Sequence, residues 1–162
     1  MARSLRAGKV TALVATLLLV ATACSKSSNT PSSPVYNVFA QKFRFHGMPA
    51  TIPSGNFEIN FSNKESFPIT HEMILKALPS GDNAQTIIDS AKVPGCKGGG
   101  PCETQYLAFG EIAGVDTGAT LSNVFDLPAG DYFFACWETG TVSGGTGPPH
   151  ASKGMVFTFT VS

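Results

Sequence analysis

Short runs of alternating hydrophobic and polar residues recur along the chain from residue 35 to its end. The clearest run is 56–61, in which Phe57, Ile59 and Phe61 alternate with polar residues. This period of two is typical of a half-buried antiparallel strand. Further strands are predicted for the runs 35–45, 70–78, 120–127, 132–137 and 155–161. The short segment 106–109 is ambiguous.

One segment, 82–91, has a helical pattern instead. Its apolar residues recur at spacings of three and four, and Asp82 is a candidate N-cap. Gly- and Pro-rich turns separate the predicted strands. Short strands with one short helix near 82–92 indicate an all-β fold, a Greek-key β-sandwich or barrel.

The first residues have the features of a secretory signal. Arg3, Arg6 and Lys9 precede a short apolar run, 10–20, and small residues precede Cys24. The run is too short for a membrane-spanning helix. A Cys at this place resembles the bacterial lipobox, although Ala21 stands where Leu is more usual. We therefore expect a lipoprotein-type signal peptide over 1–23 and lipidation of Cys24. Ordinary cleavage after Ala23, which would leave a free N-terminal thiol, is the alternative.

The mature chain divides into a tether and one domain. Residues 24–34 form a tether rich in Ser and Pro, which has little to bury and is expected to be disordered. Residues 35–162 are enough for a single domain with a real core. Without the signal, eight Lys and Arg stand against eleven Asp and Glu, so the mature protein has a net charge near −3. This charge argues against binding to nucleic acid and against electrostatic membrane binding.

The remaining cysteines raise a pairing question. Cys96 and Cys102 bracket a flexible KGGGP loop and could close a small disulfide in an oxidising compartment. Cys136 is then left without a partner, and an odd thiol in an exported protein needs an explanation. A buried inert thiol is one explanation, and pairing of Cys136 with Cys96 or Cys102 is a rival arrangement.

The C-terminal segment collects soft metal ligands. Cys136, His150 and Met155 follow one another between two predicted strands, and His71 at the start of an earlier strand is the best second imidazole. Two His and one Cys with a weak axial Met form the blue-copper ligand set. Each of these residues alone has an ordinary structural explanation. His46 and Met48 form a second soft pair, which we interpret as exposed turn residues. Motifs typical of serine hydrolases, P-loops and CxxC sites are absent from the sequence.

Two segments resemble the halves of a cupredoxin site. The sequence INFSN at 59–63, then Phe67-Pro68, then His71 is similar to the first half in plastocyanin-like blue copper proteins. Gly130, Tyr132, Phe134 and Cys136, followed by PHASKGMV at 149–156, are similar to the second half. The pattern also resembles an exported bacterial cupredoxin-like branch. It departs from well-studied members in the thirteen residues between Cys136 and His150, and in Glu72 after the first His.

The resemblance implies a function and a set of roles. His71, Cys136 and His150 would be the strong ligands of one type 1 copper ion and Met155 the weak axial ligand. Asn63 would hold the ligand loops together by hydrogen bonds. The chain would be a lipid-anchored electron carrier, not an enzyme, on the extracytoplasmic face of a bacterial membrane, with His150 on an exposed loop as the electron exit.

Two other functions remain open at this point. The domain could be a metal-free binding module, or a copper carrier that binds Cu(I) reversibly. As an electron carrier it would be a monomer whose partners are redox proteins at the membrane.

Overall fold

A computed structural model describes residues 32–142 and 145–162. Residues Ser32–Ser162 form one compact unit. The predicted signal peptide, Cys24 and the tether as far as residue 31 lie outside the described residues. Within the described part of the chain, no helix is both long and apolar enough to cross a membrane.

The described residues of this unit form nine strands, two helices and one 3-10 helix. In chain order they are β1 Val35–Ala40, β2 Phe45–His46, β3 Thr51–Ile52, β4 Gly55–Asn63, β5 Thr70–Ala77, α1 Ala84–Ala91, α2 Pro101–Thr104, β6 Ala108–Asp116, β7 Thr120–Leu127, β8 Gly130–Ala135, the 3-10 helix His150–Lys153 and β9 Val156–Val161.

The strands form two mixed sheets packed face to face. One sheet has the order β2-β1-β4-β7 and the other the order β3-β9-β8-β5-β6. Strands β1 and β4 are parallel, as are β3 and β9, and the other pairs are antiparallel. The expected all-β sandwich and its inserted helix, α1, are confirmed, whereas the four-residue helix α2 was not predicted. The described strands form two separate sheets instead of a closed barrel.

The hydrophobic core lies in two layers on either side of β8. Phe134 packs between the sheets, where its ring stacks on Phe159 with 5.0 Å between centroids. The adjacent residue Phe133 faces the opposite way and packs with Ile87 of α1. Strand β8 is therefore buried on both faces, which explains why its aromatic residues do not alternate with polar ones.

Strand β6 was not predicted beyond its first residues, because a bulge interrupts its alternation. Its partners in β5 show that His71 pairs with Val115 whereas Met73 pairs with Ile112, so β6 has one extra residue between these two pairs. The buried apolar residues of β6 are consequently three apart instead of two.

Two boundaries also differ from the prediction. The N-cap of α1 is Asn83 instead of Asp82, because the Asn83 side chain accepts hydrogen bonds from the backbone N–H groups of Gln85 and Thr86. The first predicted strand ends at Ala40, where a turn at 41–44 intervenes. Non-glycine residues occupy the left-handed region in that turn, which ends a strand.

Candidate metal centre

The second sheet brings three sequence-distant segments to one end. His71 is the second residue of β5, Cys136 follows the last residue of β8, and Met155 precedes the first residue of β9. Strand β8 lies between β9 and β5 and is antiparallel to both. The end of β8 therefore lies beside the starts of its two neighbours, and the three residues lie at the same end of the sheet.

Three ligand atoms converge in this place. His71 Nδ1 lies 3.1 Å from His150 Nδ1, and Cys136 Sγ lies 3.7 Å from His71 Nδ1 and 3.4 Å from His150 Nδ1. Zinc, whose ion is similar in size to that of copper, is bound at about 2.1 Å by imidazole nitrogen and about 2.3 Å by thiolate sulfur. With these bond lengths in a trigonal plane, the donor atoms lie about 3.6–3.8 Å from one another. The observed triangle is slightly tighter than this. All three residues are fully buried.

The two imidazoles are held with their Nδ1 lone pairs toward this triangle. His150 Nε2 lies 2.8 Å from the carbonyl oxygen of Gly140, which can only accept, so Nε2 carries the proton. His71 Nε2 faces a carboxylate oxygen of Glu65 at 3.3 Å. Burial lowers the pKa of His71 to about 4 and lowers the pKa of His150. Both rings are thus neutral near pH 7, as metal ligation requires.

Cys136 is the free cysteine of the described chain, since Cys96 and Cys102 form a disulfide. Burial raises the pKa of the Cys136 thiol well above its usual range. Its sulfur accepts a hydrogen bond from the backbone N–H of Glu72 at 3.4 Å. A thiol in such surroundings ionises only if a cation compensates the charge, and a bound metal ion deprotonates a coordinating thiol.

Met155 is fully buried in the same core layer as Cys136. Its backbone N–H donates to the His150 carbonyl and its carbonyl accepts from the Cys136 N–H, both at 3.2 Å. These bonds tie the axial candidate directly to two of the strong candidates. Two imidazoles, a thiolate and a neighbouring thioether form the donor set of a type 1 copper site.

Asn63 stabilises the turn that precedes His71 in the chain. Its side-chain amide donates to the carbonyls of Ile69, at 2.7 Å, and Val115, at 2.9 Å. Its side-chain oxygen accepts from the N–H of Glu65 at 3.2 Å. These bonds join β6 to the turn before His71, and none of them goes to the Cys136 loop.

His46 and Met48 have roles of their own. The exposed His46 ring stacks on Phe39 with 4.9 Å between centroids. Met48, which we expected in an exposed turn, is buried in the core between the sheets. The expectation for Met48 was wrong because the turn folds back over the sandwich.

The exposure expected for His150 is also wrong, since its side chain is fully buried. The Phe43 ring lies edge-on against it, with 5.0 Å between centroids. The loop between Cys136 and His150 also covers the His150 side chain. The carbonyl of Gly140 accepts a hydrogen bond from His150 Nε2, and Thr139 forms a β-bridge with Pro149. The described loop residues Thr139 and Gly140 therefore lie over the second imidazole.

Phe43 and Glu65 are the residues at this site that the sequence did not reveal. Phe43 also lies against His71, with 5.7 Å between ring centroids. Both residues reach the site from turns whose folding depends on tertiary contacts, and neither belongs to a recognisable ligand motif. An acidic residue six positions before a candidate His is too common to indicate such a contact.

Glu72 gives a testable pH dependence. Its carboxylate accepts from the Trp137 N–H at 2.8 Å, yet burial raises the pKa of Glu72 from 4.5 to about 7. Its contribution to stability is therefore fully present below pH 4.5 and lost as the pH rises through 7. His71 acts in the opposite direction, because its pKa falls from 6.5 to about 4 on folding and its contribution is lost as the pH falls through that window.

We expect Glu72→Gln to make the stability of the metal-free protein rise more steeply with pH over this range than in the wild type. The reason is that the histidine contribution is then unopposed. Urea unfolding between about pH 4.5 and 7 measures the slope. His71→Gln is the matched control and should change the slope in the opposite direction. Parallel profiles for Glu72→Gln and the wild type would contradict the assignment.

Comparison with known structures shows three similar folds. The auracyanin of the photosynthetic bacterium Roseiflexus castenholzii, solved after reduction with dithionite, has a TM-score of 0.55 and 18% identity, covering 81% of this chain and 98% of that chain. Auracyanin B has a TM-score of 0.53 and 22% identity, covering 80% and 88%. Auracyanin A of Chloroflexus aurantiacus, described as a "blue" copper protein, has a TM-score of 0.50 and 19% identity, covering 79% and 98%.

No protein-family model and no curated protein sequence matches the chain. At these identities the structural likeness establishes the fold. The sandwich described above is therefore the fold that the auracyanins share.

Proposed function

We propose that this chain is a cupredoxin that holds one type 1 copper ion and carries single electrons between redox partners. The observation that carries the proposal is the convergence of His71 Nδ1, Cys136 Sγ and His150 Nδ1 at one buried point, on the fold of known blue copper proteins. His71, Cys136 and His150 would be the strong ligands and Met155 the weak one.

Copper in such a site supplies one-electron chemistry by changing between Cu(I) and Cu(II). The chain supplies a nearly fixed set of ligands. His71 and Cys136 are anchored to neighbouring strands, and the backbone bonds of Met155 tie it to Cys136 and His150. Rigid ligands need little rearrangement when the charge of the ion changes, which favours transfer of an electron over chemistry on a substrate.

Electrons would leave through the Phe43 ring, which lies over the site, instead of through an exposed His150. The Phe43 ring lies against both imidazoles and is itself only partly buried. Lys153 Nζ lies over the Phe43 ring, 4.3 Å from the ring centroid. We therefore place the contact surface for partners around Phe43.

Three alternatives are less well supported. A copper carrier must pass its ion to ligands of another molecule, and the full burial of all three strong ligands opposes such an exchange. An oxidase would need a second metal cluster, and in the described residues the candidate cluster is the one at His71, Cys136 and His150. A metal-free binding module leaves the convergence of these ligands unexplained.

We also propose that the protein is exported and anchored by lipidated Cys24, as a monomer that meets redox proteins at the extracytoplasmic face of a bacterial membrane. The Cys96–Cys102 disulfide is in keeping with an oxidising compartment. The small negative charge expected of the mature chain is in keeping with partners other than nucleic acid.

Redox titration of the copper-loaded unit Ser32–Ser162 tests the function. We expect one reversible one-electron step with an unchanged optical spectrum after repeated cycles, because the ligands stay in place. Loss of copper on reduction would favour the carrier. Failure to retain any copper would favour the metal-free binding module.

A further inference from the structure

Glu65 is a buried carboxylate in direct contact with a candidate copper ligand. Its side chain is 2% exposed, and its Oε1 lies 3.3 Å from His71 Nε2. The same oxygen accepts a hydrogen bond from the backbone N–H of Phe43 at 2.9 Å. A third bond, from its own N–H to Asn63, fixes the backbone of the residue. The bond from Phe43 to the carboxylate and the bond from the Glu65 backbone to Asn63 thus hold this side chain against the His71 imidazole.

The turn at 41–44 is shaped to receive this carboxylate. Lys42 and Phe43 have φ angles of 52° and 54°, a left-handed conformation that costs energy for residues with side chains. Two backbone bonds between Gln41 and Arg44 close the turn, at 3.0 and 3.1 Å. Backbone N–H groups presented by such turns form concave binding sites for anions.

The contacts of Glu65 are those of an ionised carboxylate. Its Oε1 accepts a hydrogen bond from the backbone N–H of Phe43 at 2.9 Å and faces Nε2 of His71 at 3.3 Å, so two donors are directed at the same oxygen. The result is a full negative charge beside His71, on the side of the ring away from the proposed metal. His150 differs, because its Nε2 donates to the uncharged carbonyl of Gly140.

We propose that Glu65 is a positioning residue that orients His71 and sets the balance between oxidised and reduced copper. This inference rests on the proposed function. A histidine ligand that donates to a carboxylate is fixed in one tautomer and becomes a stronger base. A fixed negative charge also stabilises the doubly charged Cu(II) more than Cu(I) by Coulomb attraction. Glu65 therefore favours Cu(II) and lowers the reduction potential.

The variant Glu65→Gln tests the charge with little change in shape. Its amide oxygen can still accept from Phe43 and His71, whereas the negative charge is lost. We expect the affinity for Cu(II), measured by competition with a chelator, to fall about 10- to 100-fold. The affinity for Cu(I) should fall by a smaller factor, so that the reduction potential rises.

Glu58→Gln is the matched control, since it removes the same charge from β4 of the other sheet. It should leave both affinities unchanged. Equal losses of Cu(I) and Cu(II) affinity in Glu65→Gln, or no change in either, would overturn the proposal. A wild-type protein that binds no copper would instead refute the proposed function.

A second measurement needs neither copper nor a variant. Nitrogen NMR of the wild-type metal-free unit Ser32–Ser162 reports which ring nitrogen of His71 carries the proton. We expect protonated Nε2 and bare Nδ1, with the Nε2 proton shared with Glu65. A His71 ring that carries its proton on Nδ1, or exchanges between the two forms, would show that Glu65 does not orient it.

Discussion

Cys136→Ser is expected to abolish the intense visible absorption that the unit Ser32–Ser162 develops when Cu(II) is added. The band arises from charge transfer between thiolate sulfur and copper, so it requires Sγ of the one free cysteine in the described chain. A serine hydroxyl is a much poorer donor and has no comparable transition. The variant should also bind Cu(II) far more weakly, because one of three converging ligands is lost.

The double variant Cys96→Ser/Cys102→Ser is the control for this experiment. It removes the disulfide, which lies on the α1 side of the second sheet, and should leave the band in place. Persistence of the band in Cys136→Ser would disprove the thiolate assignment. Absence of the band from the wild type would remove the basis of the electron-carrier function.

Asn63→Ala should cause the largest loss of stability among the polar substitutions near the site. Asn63 is 1% exposed, and its side chain satisfies two buried carbonyls and one N–H. A buried polar group left without a partner costs about 1–3 kcal/mol. With partial relaxation at three positions, we expect the free energy of unfolding to fall by roughly 3 kcal/mol. Urea unfolding of the metal-free protein measures this loss.

Asn60→Ala provides a matched comparison on the same strand. Asn60 faces the other side of β4, where its amide donates to Asn37 at an exposed position. Its removal should change the free energy of unfolding by less than about 1 kcal/mol. Similar losses in the two variants would mean that the buried bonds of Asn63 contribute little.

The sequence predicted the elements whose patterns are local. Alternation in 56–61 identified β4, because one face of that strand is buried and the other is not. Strand β6 was not predicted because its bulge and two glycines interrupt the alternation of apolar and polar residues. The end of the first strand was not predicted either, because the left-handed turn after Ala40 is stabilised by a tertiary contact with Glu65 that no local pattern indicates.

The site was predictable for a different reason. His71, Cys136 and His150 are uncommon residues at recognisable positions, and the sheet order then brings them together. Their surroundings were not predictable. The burial of His150 depends on how the loop 137–149 folds, and the sequence suggested only that this loop was long. Glu65 reaches His71 through the same kind of non-local packing.

The cover over His150 has a consequence for how the protein acquires its metal. A folded chain with all three strong ligands buried offers no atom by which an ion in solution can begin to bind. Because Phe43 and Gly140 lie against His150, we expect entry to require the Phe43 turn or the Gly140 segment to open, and the rate of this opening to set the rate of metal uptake. The same barrier applies to departure, and a metal ion enclosed while the chain folds would be retained kinetically, whatever the equilibrium affinity of the site.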